Sequence, residues 1–301
     1  MGPTASGKTE LAFALADCLP LEIVSVDSAL VYRGMDIGTA KPSIDERERY
    51  PHHLVDILDP AQPYSVAEFR RDALAAMNSI CQAGKVPLLV GGTMMYFRAL
   101  QQGLAKLPEA DMQIRQHLQR RLAEEGLAVL HAELAQIDSA AAQRIHATDP
   151  QRTLRALEVY AASGQTMSEL IAADIPDALP YRLLKFALLP DDRKLLHTRI
   201  ATRFDVMLKK GFIKEVSALR SRTDLDLDTP SMRAVGYRQV WQYLDGRWDF
   251  AQMQERAVIA TRQLAKRQHT WLRSESELIY LDMLNPQLNM VSEQIDRFLL
   301  S

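Results

Sequence analysis

The sequence predicts an α/β protein: a phosphate-loop parallel sheet with helices on both faces, plus an all-α insertion. Three observations carry this. Gly2-Pro3-Thr4-Ala5-Ser6-Gly7-Lys8-Thr9 has four residues between its glycines, then Lys-Thr, the pattern of a loop that cradles phosphate. Short β-branched runs then alternate with helical runs, as in a doubly wound sheet. After Pro108 the strand signal fades and helix formers take over.

The elements follow in order. In the loop, Gly2 and Gly7 let backbone N–H groups point inward, Lys8 brings a point charge, and the Thr9 hydroxyl can ligate Mg²⁺. A helix opening at about Lys8 turns its positive dipole end to the same anion. Such a loop ordinarily follows a buried strand, yet only Met1 precedes it, which suggests a trimmed or misassigned start. Residues 21–26 read as a buried strand ending at Asp27, and 53–58 as a weaker one. Ser65-Val66-Ala67-Glu68 is a capping box for a helix running to about Ala83, stopped at Gly84. Pro87-Leu88-Leu89-Val90 is a further buried strand, turned by Gly91-Gly92-Thr93 into a helix over 94–101. Leu118, Leu122, Leu127, Leu130 and Leu134 mark the helical insertion, placed at 111–180 between core segments 1–110 and 181–301. Strand character returns over 181–189. One long helix is expected over 193–220. Thr229-Pro230 opens another ending near Gly246, Asp249 with Gln252 a third running to about Arg273, and 278–281 closes the sheet.

The bulk numbers exclude several classes. Hydrophobic residues are 47% and charged residues 25%, ordinary for a globular protein. No apolar run is long enough to span a membrane, and no signal peptide is visible. Cys18 and Cys81 lack metal or redox spacing, so a reducing cytoplasm is the default. Net charge is −2, so any nucleic acid must be held by local basic patches.

Ligands of open parallel sheets bind beyond the carboxyl ends of the strands. The phosphate loop, Asp27 and Thr93 fall on that edge, though Asp27-Ser28 can equally be a turn or cap. Gly91-Gly92 permits close approach to a ligand, or only a tight turn. Arg199 and Arg203 share a helix face and can clamp a diphosphate or simply meet solvent. Arg262, Lys266, His269 and Arg273 form a basic stripe, suited to a phosphate backbone or to solubility. Residues 151–155 and 231–238 are further basic stretches, the second with Tyr237 for base stacking. His52-His53 lacks a third ligand and reads as structural, and Trp241, Trp248 and Trp271 as core.

Several segments together resemble the tRNA dimethylallyltransferases, the bacterial form most of all. They are GPTASGKT (2–9), DSALVYRGMDIGTAKP (27–42), PHHLVDI (51–57), GGTMMYFRAL (91–100), ATDPQRTLRALE (147–158), RAVGYRQ (233–239) and TRQLAKRQHTWLR (261–273). The resemblance implies transfer of a dimethylallyl group from its diphosphate to N6 of the adenosine 3′ of the anticodon, in tRNAs reading codons that begin with U. Gly2, Thr4, Ala5, Ser6, Gly7, Lys8 and Thr9 would hold the diphosphate, with Mg²⁺ on Thr9 as cofactor. Asp27 would be the general base, Thr93 would position the reactants, and Arg203 would stabilise the leaving group. By the same resemblance tRNA would touch Asp27, Ser28, Ala29, Leu30, Thr93 and Arg115. It would also touch Gln151, Arg152, Thr153, Leu154 and Arg155, then Arg233, Ala234, Val235, Gly236, Tyr237 and Arg238. The last set is Lys266, Arg267, Gln268, His269, Thr270, Trp271, Leu272 and Arg273. The insertion would grip the anticodon stem-loop, and the enzyme would act as a cytoplasmic monomer. A kinase on the same loop is the competing reading; it requires ATP as phosphoryl donor.

Overall fold

The computed structural model describes residues 1–109, 111–174 and 179–300. Residues 110 and 175–178, at the edges of the expected insertion, lie outside the described residues. The chain forms two compact units, one of Met1–Gln101 with Pro180–Ser301, the other of Gln102–Leu179.

The first unit opens with α1 (Lys8–Ala16), β1 (Leu21–Val26), α2 (Ile44–Arg49) and β2 (His52–His53). It continues with α3 (Val66–Gln82), β3 (Val86–Gly91) and α4 (Met94–Gln102). β1 is central, parallel to both neighbours, with Leu21 opposite Val86 and Ile23 opposite His52. The strand expected over 53–58 shrinks to two residues. Leu54 (φ 63°) and Asp56 (φ 56°) enter the left-handed region, which no ladder tolerates, and only Leu58 returns to bridge Tyr32. The capping box at Ser65 is formed, its hydroxyl accepting the Glu68 N–H while Glu68 reaches back.

The second unit is helical: α5 (Met112–Glu125), α6 (Leu127–Ile137), α7 (Ser139–Arg144), α8 (Pro150–Ser163) and α9 (Met167–Ala173). Leu118, Leu130, Leu134, Ala156 and Leu157 build its own core. Asp149 caps α8 by accepting the Arg152 N–H, with Pro150 where a missing N–H costs nothing.

The chain re-enters the first unit through β4 (Lys185–Leu189), α10 (Arg193–Lys209) and α11 (Phe212–Arg220). The single helix expected over 193–220 is therefore two, broken at Gly211 with φ 100°. Residues after Thr229 form a 3-10 turn, Pro230–Arg233, and only then α12 (Tyr237–Leu244). α13 (Phe250–Leu272), β5 (Leu278–Asp282) and α14 (Leu288–Leu300) complete the chain. β5 pairs in parallel with β4, Ala187 opposite Tyr280. α14 lay outside the sequence reading; Val291 and Ile295, four apart and buried, are the stripe that marks it.

Met1 lies along β4. Its amine donates to the Phe186 carbonyl (2.8 Å) and its carbonyl accepts the Leu188 N–H (3.0 Å), a parallel bridge across Ala187. An apolar cavity of about 360 Å³, lined by Leu11, Val86, Leu88, Phe186 and Leu188 among others, lies alongside it.

Candidate active site

The phosphate loop is shaped by its backbone. Gly7 (φ 94°) and Ala5 (φ 64°) are left-handed, so consecutive amides turn to one side before α1 begins. Gly2 admits no side chain, because a Cβ would meet the Leu188 carbonyl at 2.7 Å. The Lys8 ammonium donates to the Pro3 carbonyl at 2.7 Å, closing the loop on itself. The Ser6 hydroxyl is buried without a hydrogen-bond partner, and its oxygen lies 2.9 Å from where a Cβ would sit on Gly2. Thr9 follows in the first turn of α1.

Charge gathers here. Burial lowers Lys8 from 10.5 to about 8, offset by the Asp27 and Glu10 carboxylates and deepened by Arg203. Burial likewise lowers Arg203, with Asp27 and Glu10 opposing. Lys8, Arg203, Asp27 and Glu10 thus form one electrostatic cluster, and Glu10 was not anticipated. Arg203 donates to the Thr39 carbonyl at 3.2 Å. Arg199 joins from one turn earlier; its Nη2 lies 3.8 Å from where a Cβ would sit on Gly7. Both arginines of the pair therefore face the loop.

Asp27 directly follows β1, and its Oδ1 accepts the Ala29 N–H at 2.9 Å, an Asx turn that fixes the carboxylate. Thr93 follows β3; its N–H donates to Val26 O (3.2 Å) and its hydroxyl accepts the Ser28 N–H (3.1 Å). It ties the two strand ends together at the sheet edge. Gly91 and Gly92 approach protein, not ligand: a Cβ on Gly91 would strike Val26 O at 2.0 Å, and one on Gly92 would strike Gln268 Nε2 at 2.4 Å.

The basic segments divide by exposure. On α13, Lys266, Arg267, Thr270, Trp271 and Arg273 are exposed and His269 is half-buried. Trp271 is thus a surface residue and not core, with the Arg98 guanidinium 5.7 Å above its ring. Leu272 is buried packing. Gln268 is also buried and makes a structural tie, accepting the Thr4 N–H (2.9 Å) and donating to Gly92 O (2.8 Å). Arg193, Arg262, Lys266, His269 and Arg273 line a cavity of about 380 Å³ between α10 and α13. Burial, then Arg273 and Arg193, lowers the His269 imidazole.

Around α12, Arg233 and Arg238 are exposed, and Ala234 and Val235 half-buried. Tyr237 does not offer the expected stacking face: it is wholly buried against Phe212, and its hydroxyl donates to Glu215. Gly236 (φ 94°) supplies the turn before it. In the helical unit, Arg115, Gln151 and Arg152 are exposed and Leu154 is half-buried. Thr153 is buried, and Arg155 is engaged with Pro108 O and Glu158. His52 and His53 hydrogen-bond Tyr50 O and Glu22, and no metal-type cluster of His, Cys, Asp or Glu exists among the described residues.

Fold and site define a phosphate-loop α/β protein whose strand-end carboxylate shares its surroundings with the loop's Lys8 and with Arg203. The chain belongs to the IPP transferase family, whose model matches residues 30–275. It is 35% identical to the full-length tRNA isopentenylpyrophosphate transferase of Bacillus halodurans over 98% of this chain and 93% of that one, with TM-score 0.71. A tRNA delta(2)-isopentenylpyrophosphate transferase from Staphylococcus epidermidis is 33% identical over 99% and 96%, with TM-score 0.69. A eukaryotic dimethylallyltransferase acting on tRNA is 26% identical over 94% and 72%, with TM-score 0.80.

Proposed function

We propose that the protein is a prenyltransferase that moves a dimethylallyl group from dimethylallyl diphosphate to N6 of an adenosine in tRNA. The target is the adenosine 3′ of the anticodon in tRNAs reading codons that begin with U. The observation carrying this reading is the Asp27 carboxylate at the sheet edge, close enough that its charge acts on both Lys8 and Arg203 of the phosphate-loop site. A kinase can also use such a carboxylate as its base; what favours prenyl transfer over phosphoryl transfer is the family membership.

The chemistry balances on these residues. The allylic C–O bond breaks, and its electrons leave with diphosphate held by the loop amides, Lys8 and the arginines. The N6 lone pair forms the new C–N bond, and Asp27 takes the N6 proton. Thr93 and its Ser28 contact fix the edge against which the base sits. The adenosine must leave its stack, at a cost smaller in a loop than in a duplex. The Thr9 hydroxyl, in the first turn of α1 beside Lys8, would hold Mg²⁺ alongside the diphosphate oxygens. The ion would neutralise diphosphate charge when bound. Among the described residues no helix is long and apolar enough to cross a membrane, and action as a cytoplasmic monomer completes the proposal.

Mass spectrometry of nuclease-digested tRNA, after incubation with enzyme and prenyl donor, tests the reading. Dimethylallyl adenosine with released diphosphate is expected; phosphoryl transfer from ATP without prenylated nucleoside would replace it with the kinase. The α13 stripe carries its own test. Replacing Arg262, Lys266 and Arg273 with Gln is expected to weaken tRNA binding and lower the slope of log K against log salt by about 2–3. An unchanged slope would assign the stripe to solubility.

A further inference from the structure

The Glu215 carboxylate, on α11, collects an unusual set of donors. It accepts the backbone N–H of Asp36 (3.0 Å), Ile37 (2.7 Å) and Gly38 (3.1 Å), three successive amides, and the Tyr237 hydroxyl. Three amides in a row converge on one anion only when the backbone curls around it. That curl brings the next residue, Thr39, to the arginine: its carbonyl accepts from Arg203 Nη2 at 3.2 Å. The curl has no slack beneath it. A Cβ on Gly38 would fall 2.1 Å from the Phe212 ring and 2.5 Å from that of Tyr237, so the backbone lies flat on both. On its far side, Lys41, almost fully buried, donates to Tyr32 O and pairs with Asp36 and Asp56.

Arg203 needs such help. Its guanidinium is largely desolvated and shares its surroundings with the Lys8 cation. A free arginine would swing toward water or onto Asp27. A fixed carbonyl holding Nη2 restrains the guanidinium and leaves its other N–H groups for an anion in the loop.

We propose that Glu215 is a positioning residue for the diphosphate site, curling residues 36–38 so that the Thr39 carbonyl aims Arg203 at the anion. This rests on the reading of Arg203 as a diphosphate ligand. Glu215→Gln keeps the volume but replaces one acceptor oxygen with a donor, which cannot satisfy three amides and a hydroxyl. Glu215→Asp keeps the charge with a shorter reach.

The test uses inorganic pyrophosphate as the probe, with titration calorimetry on the full chain, wild type and variants. Arg203→Lys is expected to weaken pyrophosphate binding about tenfold or more, and Glu215→Gln by a similar factor. The double variant is expected to be little weaker than either single one, because both changes remove one interaction. Glu215→Asp is expected to fall between wild type and Glu215→Gln, and it supplies the same comparison should the Gln variant fail to fold. Multiplicative losses in the double variant would overturn the proposal, as would wild-type affinity in a folded Glu215→Gln or Glu215→Asp. If Arg203→Lys itself binds as wild type, the reading of Arg203 fails, and the positioning role falls with it. If Arg203→Lys weakens binding and the Glu215 variants do not, only the role of Glu215 falls.

Discussion

Asp27→Ala is expected to lower kcat for prenyl transfer by ~10²–10⁴ while tRNA still binds within a few-fold of wild type, the usual span for losing a positioned general base. The adenine amine is a weak nucleophile because its lone pair is shared with the ring, and it must shed a proton as the C–N bond forms. Asp27 is the carboxylate at the sheet edge, and the Ala29 N–H holds one of its oxygens at 2.9 Å. Asp27→Asn separates two roles. It keeps an acceptor for the Ala29 N–H but takes no proton, so its rate should match the alanine variant. Both variants also remove the charge that raises the pKa of Lys8, which then sits further below its ordinary value. Their affinity for prenyl diphosphate should therefore weaken at lower pH than in wild type. A single-turnover assay with separate tRNA and diphosphate binding measurements resolves these effects. RNA affinity falling in step with rate would show that Asp27 is structural.

The parts of the site legible in the sequence share one property: each is set by local chain chemistry. The loop pattern, the Ser65 and Asp249 capping boxes and the strand ending at Asp27 all declare themselves within about ten residues. What escaped is non-local. Gln268 reads as one more polar residue of a basic helix, yet it joins Thr4 to Gly92 across most of the sequence. Tyr237 sits between Gly236 and Arg238 like an exposed aromatic, and only the Phe212 ring and the Glu215 carboxylate explain its burial. Trp271 shows the opposite error, since a tryptophan at a helix end looks like core until its neighbours are known. The two glycine surprises differ in kind. Gly211 breaks, through positive φ, the helix expected to run unbroken over 193–220, whereas Gly91 is glycine because the β1 backbone passes against it, which no pattern reveals.

Lys8→Met is expected to cost ~10²–10³ in kcat/KM for the prenyl donor at pH 7, comparable to removing one preorganised donor from a developing anion. Its pH dependence is the sharper test. In the free protein burial holds Lys8 at about 8, so the ammonium is largely present at pH 7 and lost as pH rises above 8. A bound diphosphate favours the charged form and lifts that pKa again. Binding should therefore take up a proton above pH 8, and KM for the prenyl donor should rise there as the free enzyme loses its cation. Lys8→Met should lack that inflection altogether. Lys8→Arg keeps a charge at all these pH values, so it too should lose the inflection, but with a smaller loss of rate. Calorimetric titration in two buffers of different ionisation enthalpy at pH 8.5 counts the proton directly. No uptake in wild type, or an inflection that survives in Lys8→Met, would move the cation's role away from Lys8 and onto Arg199 and Arg203.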